Sequence, residues 1–268
     1  MQIYRYFDIG TAKPSPLQQK RIKHYMIDIL DPDEVCNAGK YMQMALGDIE
    51  KISRDTNIIV TGGTFLYIKV LLNGLLQDVK SDPLIRKNLY NTLSEHGIEY
   101  LYKRLMDIDP ESADELHPND HVRITRAIEI YHTTGKKFST LKKNHNFDEN
   151  RFSTLKVALY NDREKIRNNI NDRVESMFDK GFIDEVKYIR KLGYNTDIKP
   201  MQSIGYKQVN SFLNNEIDLE NTKYLIKRDT KRYAKRQITW LRKENDLNWY
   251  DCDSELDKVI KKGREFFY

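Results

Sequence analysis

Residues 57–67, NIIVTGGTFLY, constrain the fold of this chain more than any other stretch. Four residues that favour strands lead into Gly62-Gly63, and Thr64 then opens an apolar run with helical character. A strand that turns through glycine into a helix start is where α/β enzymes bring phosphate or a reacting group close to backbone N–H groups. The stretch argues for an α/β class and marks residues 62–64 as a candidate site. It also exposes an omission, because no G-x-x-x-x-G-K-[ST] loop occurs in the 268 residues.

The surrounding pattern fits that class. Residues 24–30, HYMIDIL, read as a strand, 31–33 as a turn, and 41–54 as a helix. The apolar run 64–76 reads as the next helix. Ser81-Asp82-Pro83 is a helix start, with a capping side chain and proline in the first turn. From there to about residue 143 the pattern is helical, divided by turns at Gly97, Asp109-Pro110 and residues 117–120. Strand character returns at 152–160 and briefly at 248–250. The expected architecture is an α/β core of residues 1–83 and 153–268, with a helical insertion at 84–152.

Charged residues make up 32% of the chain. No apolar run approaches the roughly 20 residues that span a bilayer, so no membrane role is expected. The first residues, MQIYRYFDIG, lack the basic and apolar regions of a signal peptide. Two cysteines, Cys36 and Cys252, have no pairing motif and are expected as reduced thiols of a cytoplasmic protein.

The formal charge of +5 matters only where it is clustered, and it is clustered at residues 223–243. Nine Lys or Arg stand there against a single acid, Asp229, with no Gly or Pro to interrupt a helix. On a helical wheel Lys227, Arg228, Lys231, Arg232, Lys235 and Arg236 share one half. Ile226, Tyr233, Ala234, Trp240 and Leu241 occupy the other, with Leu225 and Ile238 as exceptions on the basic side. Such a helix docks by one face and offers cations on the other, either to solvent or to a phosphate backbone. Arg123 and Arg126, three apart in HVRITRAIEIY, form a second, weaker cationic pair.

Thr64 reads either as an N-cap or as a catalytic hydroxyl, and spacing alone favours the cap. Asp8, Asp28 and Asp31 read as turn formers as readily as site acids. His117 and His121 have zinc-like spacing, but Pro118-Asn119-Asp120 between them reads as a turn and cap, so no metal ligands are assigned.

Five strings stand in order: DIGTAKP (8–14), GGTFLY (62–67), HPNDHVRITRAIE (117–129), SIGYKQ (203–208) and AKRQITWLR (234–242). In this order and spacing the chain closely resembles the bacterial-type tRNA dimethylallyltransferases, also called tRNA isopentenyltransferases, from its first residue almost to its last. The resemblance implies a P-loop, nucleotide- and ATP-binding core with a helical insertion that grips the tRNA anticodon stem-loop. It implies a monomeric cytoplasmic enzyme that transfers a dimethylallyl group from dimethylallyl diphosphate to N6 of adenosine 37, assisted by Mg2+, with the target base flipped out of its stack. It also implies site residues. Thr64 is the catalytic one, beside the diphosphate and the amine. Gly62, Gly63, Tyr67, Arg86 and Arg173 match substrate-binding positions. Gln2, Val122, Arg123, Ile124, Thr125, Arg126, Gln202, Ser203, Ile204, Gly205, Tyr206, Lys207, Arg232 and Arg236 match tRNA-binding ones.

The chain departs from that family at its start. The family's D-S-x-Q-x-Y motif survives only as Met1-Gln2-Ile3-Tyr4, so its aspartate, the expected base, and the P-loop before it are not among these residues. A start assigned at an internal methionine and a real truncation both explain this. The 268 residues as written are therefore expected not to catalyse prenyl transfer. Asn169 stands where relatives carry Arg. Two other functions remain: a non-catalytic tRNA-binding remnant, and an adenylate isopentenyltransferase acting on free nucleotide.

Overall fold

A computed structural model describes residues 1–76, 81–145 and 151–268. In chain order the elements are α1 (Pro16–Arg21), α2 (Ala38–Ile52), α3 (Phe65–Asn73), α4 (Pro83–Ile108), α5 (Pro110–Glu115), α6 (His121–Thr134) and α7 (Phe138–His145). There follow β1 (Lys156–Tyr160), α8 (Arg163–Asp179), α9 (Phe182–Lys191), α10 (Tyr206–Leu213), α11 (Leu219–Leu241), β2 (Leu247–Asp251) and α12 (Leu256–Phe267). The chain divides into a unit of Met1–Ile68 with Thr154–Tyr268 and a unit of Lys69–Ser153.

The larger unit carries the only sheet among the described residues. β1 and β2 pair in parallel, with Lys156 opposite Leu247 and Tyr160 opposite Asp251. Both strands lie where their composition predicts. Two other expected strands do not form. In residues 24–30 the backbone turns left-handed at Met26 and Asp28, with φ of 63° and 54°. Only an isolated bridge from Leu30 to Tyr4 remains. Lys13 draws the Asp28 carboxylate out of any strand path. Residues 57–60 pair with no strand among the described residues, and Ile59 is 81% exposed. β-propensity cannot make a strand without a neighbour to complete its ladder.

The core of this unit gathers Phe7, Val174, Phe182, Val186, Ile189, Met201, Tyr206, Val209 and Ile226, drawn from the first loop and from α8 to α11. A half-buried polar cluster borders it. The Glu185 carboxylate accepts the backbone N–H groups of Asp8, Ile9 and Gly10 at 3.1, 2.6 and 3.2 Å. It also accepts the Tyr206 hydroxyl at 2.6 Å. A Cβ on Gly10 would lie 2.5 Å from the rings of both Phe182 and Tyr206, so only glycine fits.

The smaller unit is helical throughout its described residues. Its helix starts are set by side chains. Asp82 caps α4, Asp109 caps α5 and Asp120 caps α6, with proline in the first turn of α4 and α5. Gly97, at φ 77° and ψ 174°, breaks α4 where the sequence places a turn. Leu101, Leu105, Ile124 and Ile128 fill the core with no exposed surface.

Asp109, 1% exposed, accepts four bonds: the backbone N–H and hydroxyl of Ser112 at 3.3 and 2.6 Å, and those of Ser139 at 2.9 and 2.6 Å. Burial works to raise its pKa, but the bonds from Ser112 and Ser139 outweigh it and hold the carboxyl below its ordinary 3.8. A depressed carboxyl adds stability that is complete above the unfolded-state value and is lost as pH falls through the folded one. Denaturant titration followed by circular dichroism should therefore show stability falling with acidification below about pH 5. Asp109→Asn should cost about 2 kcal/mol at neutral pH and flatten the acid slope. An unchanged slope would assign the acid sensitivity elsewhere.

Candidate functional site

In the larger unit the glycine turn is docked on α11. The Gly63 carbonyl accepts the Tyr233 hydroxyl and the Gln237 amide, each at 3.2 Å. A Cβ on Gly63 would lie 2.0 Å from Gln237 Nε2, so the glutamine occupies the space of the missing side chain. Phe65 stacks on Trp240 with centroids 5.3 Å apart and planes at 14°. Gly62 has open space around its Cα. Two of the sequence strings, GGTFLY and AKRQITWLR, are thus one structural joint. Sequence reasoning gave no role to Gln237. Its place in the second string was the only available signal.

Thr64 is exposed at this joint. Its carbonyl starts α3 by accepting the N–H groups of Tyr67 and Ile68 at 2.9 and 3.4 Å. Its hydroxyl bonds to nothing among the described residues. The structure therefore removes the side-chain cap that spacing favoured and leaves the hydroxyl open to a bound molecule. Tyr67 stacks on Tyr41 at 4.7 Å and donates its hydroxyl to the Cys36 carbonyl at 3.2 Å. Burial raises its pKa, so it stays a proton donor.

The basic face of α11 is partly neutralised. Lys223 and Lys227 both pair with Glu175 of α8. Asp229 holds Arg228 at 2.9 Å, lies 3.7 Å from Arg232 and 3.9 Å from Lys207, and accepts the Gln208 amide at 2.9 Å. Lys231, Lys235 and Arg236 take part in no ion pair among the described residues. Arg236 lies over the Tyr233 ring at 5.7 Å. Arg232, Lys235 and Arg236 are exposed and Lys231 is half-buried, on the helix that carries the glycine turn.

The other candidates in this unit fall into two groups. Lys207, Gln202 and Arg173 are exposed. Gln2 donates to the carbonyls of Thr11 and Ala12 at 3.2 and 3.0 Å, while Gln202 donates to Thr196 and Ser203 to Pro200. Ile204 is half-buried, whereas Gly205 and Tyr206 are buried. Gly205, at φ 96°, starts α10 with its N–H on Gln208 Oε1 at 2.8 Å. Tyr206 is 1% exposed and packs on Phe7 and Phe182, so its side chain supports the loop from within. Burial, with the Glu185 carboxylate beside it, raises its pKa and keeps it a donor. Asp8 and Asp28 both pair with Lys13, and Asp31 with Arg5, which is a structural use for all three acids.

In the smaller unit Val122 and Arg123 are exposed, while Ile124 and Thr125 are buried in the core. Arg123 Nε lies 3.5 Å from Asp120. Arg86 and Arg126 are brought to one carboxylate, that of Glu129. Among the described residues no three His, Cys, Asp or Glu side chains are grouped to hold an ion.

Comparison with known proteins gives a consistent result. The family model described as IPP transferase matches residues 2–244. The chain is 42% identical to a tRNA dimethylallyltransferase of Syntrophobacter fumaroxidans, over 99% of this chain and 78% of that protein. It is 41% identical to tRNA dimethylallyltransferase 2 of Geotalea uraniireducens, over 100% and 86%. Among solved structures it resembles the full-length tRNA isopentenylpyrophosphate transferase of Bacillus halodurans, with a TM-score of 0.69 and 32% identity over 99% of this chain and 84% of that one. It also resembles a eukaryotic dimethylallyltransferase acting on tRNA, with a TM-score of 0.81 and 27% identity over 99% and 71%.

Two outcomes test this geometry. Thr64→Val should change stability by less than about 0.5 kcal/mol, as a surface substitution does. A loss of about 1 kcal/mol in a denaturant titration would restore the cap. Arg232→Ala with Arg236→Ala should weaken binding to a tRNA stem-loop and lower its salt slope by about two. An unchanged slope would leave this face merely solvated.

Proposed function

We propose, from the premise that this chain belongs to the IPP transferase family, that it binds a tRNA anticodon stem-loop and transfers a dimethylallyl group from dimethylallyl diphosphate to N6 of adenosine 37. By family it is a transferase. The larger unit is read as part of a P-loop core and the smaller one as the tRNA-gripping insertion, in a monomeric protein working on tRNA in the cytoplasm.

One observation carries the reading. A single helix, α11, turns cations outward and holds the glycine turn through Tyr233 and Gln237, with the Thr64 hydroxyl exposed beside them. Cations on a rigid helix suit a phosphate backbone, whose attraction positions the nucleic acid without reading its sequence. The reaction then needs N6 to attack the allylic carbon as the C–O bond to diphosphate breaks. The electron pair leaves with diphosphate, and the N6 proton passes to a base. Thr64, with its exposed hydroxyl, is read as the group that hydrogen-bonds at the reacting centre. Arg86 and Arg173 are read as contacts to the anionic substrate, where developing charge is stabilised. Mg2+ enters only as a companion of the diphosphate, since phosphate oxygens commonly supply part of a magnesium shell.

The reading as an adenylate isopentenyltransferase lacks support, because free nucleotide gives the outward cations of α11 nothing long enough to span. The test is binding of a labelled anticodon stem-loop with AMP as competitor. Stem-loop binding that millimolar AMP leaves in place is the expected result, and displacement by AMP at the stem-loop's own concentration range would overturn it. In the same preparation, label carried from dimethylallyl diphosphate to tRNA separates a working transferase from a chain that only binds.

A further inference from the structure

Residues 57–63 run to the glycine turn without support from a sheet. Among the described residues, the only hydrogen bonds that reach them come from α11. Both end on one atom, the Gly63 carbonyl oxygen, which accepts the Tyr233 hydroxyl and the Gln237 amide at 3.2 Å each. Tyr233 and Gln237 are four residues apart, so they stand one turn apart on the same face of the helix. Gly63 and Gln237 are half-buried, whereas Thr64 is exposed.

The two donors are not equivalent. Tyr233 reaches the carbonyl from an exposed ring over which Arg236 also lies. Gln237 lies against the turn itself: a Cβ on Gly63 would stand 2.0 Å from its Nε2 and 3.3 Å from its Cδ. The amide therefore sits where residue 63 would carry a side chain, and glycine leaves the room for it. A primary amide suits this place because it donates without carrying charge. The bond matters for the next residue. The peptide unit joining Gly63 to Thr64 is planar, so holding its carbonyl oxygen also sets the direction in which the Thr64 Cα departs. The Thr64 hydroxyl has no partner of its own among the described residues. Its aim follows from the peptide before it and from the N–H groups of Tyr67 and Ile68 on its carbonyl.

We infer that Gln237 is a positioning residue for the Thr64 hydroxyl, acting through the Gly63–Thr64 peptide. The inference rests on the transferase reading above and adds to it the group that orients the hydroxyl. Neighbouring residues of α11 then have separate tasks. Arg232 and Arg236 stay exposed for a phosphate backbone, while neutral, half-buried Gln237 faces Gly63.

The experiment follows label from dimethylallyl diphosphate into tRNA with the whole chain, and in parallel the amide hydrogen exchange of residues 64–68. Gln237→Leu keeps the bulk and removes the donor. It should lower kcat about tenfold and leave KM for tRNA unchanged. Gln237→Glu tests the donor by pH. Its ionised carboxylate faces a carbonyl oxygen and repels it, whereas the protonated form can donate. The kcat of Gln237→Glu, taken as a ratio to wild type at each pH, should therefore rise as pH falls from about 8 to about 5. Gly63→Ala approaches the same bond from the other side, because the added Cβ drives the amide off the carbonyl. Gly63→Ala and Gln237→Ala should each lose about tenfold, and the double variant little more than either, because both remove one bond.

A folded Gln237→Leu protein with unchanged kcat overturns the inference. So does one in which only KM for tRNA rises, since Gln237 would then be a tRNA contact. A Gln237→Glu ratio that ignores pH, or losses that multiply in the double variant, overturns it as well. If the Gln237 variants do not fold, Gly63→Ala decides alone by the same split of kcat from KM. A wild-type chain that carries no label to tRNA refutes the transferase reading instead. Exchange then decides on the tether. Gln237→Leu should speed exchange of the Tyr67 and Ile68 amides about fivefold, the worth of one hydrogen bond, and unchanged exchange overturns the tether.

Discussion

The larger unit closes on the bonds received by the Glu185 carboxylate. Three consecutive N–H groups, of Asp8, Ile9 and Gly10, point at one place, and neither a helix nor a sheet can satisfy such a run. Asp8 is exposed and Ile9 and Gly10 are half-buried, so water meets such donors only in part. Glu185 meets all three and takes the Tyr206 hydroxyl as well, joining residues far apart in sequence. The path continues from there. Tyr206 begins α10, Gln208 in its first turn reaches Asp229 of α11, and α11 holds Gly63 through Tyr233 and Gln237. Hydrogen bonds and helices thus link the Glu185 carboxylate to the turn that carries the exposed Thr64 hydroxyl.

That path explains which parts of the fold the sequence disclosed. Local devices were legible. Ser81-Asp82-Pro83, Asp109-Pro110 and Asp120 start helices because the capping bond lies within three residues of the cap. The strands at 156–160 and 247–251 were legible because each has the other as a partner. Residues 24–30 and 57–60 carry the same composition and form no strand, because a strand exists only with a neighbour and local residues cannot supply one. Thr64 misled for the opposite reason. Its spacing suited a cap, but the backbone of Tyr67 and Ile68 takes its carbonyl and ignores its hydroxyl. The ties from Glu185 to residues 8–10 and from Gln237 to Gly63 were invisible, since each spans more than 170 residues.

The basic helix shows how a wheel overstates a charged face. Period and composition put six cations on one half of α11. They cannot tell which of them meet an acid from another helix. Glu175 of α8 takes Lys223 and Lys227, and Asp229 neutralises Arg228 and draws on Arg232. Arg232, Lys235 and Arg236 stay exposed, beside the residues that grip the glycine turn. Charge near the amino end of the helix therefore serves packing against α8, and charge farther along it is left exposed. An exposed pair is screened by salt and adds little stability, so cations left outward have more to offer a ligand than the fold.

The two engaged carboxylates make opposite use of the same chemistry. Glu185 is satisfied by neutral donors, three peptide N–H groups and a phenol, so its charge is dispersed into dipoles that are themselves fixed. Nothing around it is left over to act on a ligand. Glu129 is satisfied on one oxygen by neutral donors and on the other by two guanidinium groups that both reach solvent. Neutral donors would have sufficed for the second oxygen at lower desolvation cost, since burying an ion pair is expensive even when its geometry is good. The same helix pair shares an apolar core of Leu101, Leu105, Ile124 and Ile128, so the ion pairs lie beside packing that already holds α4 to α6.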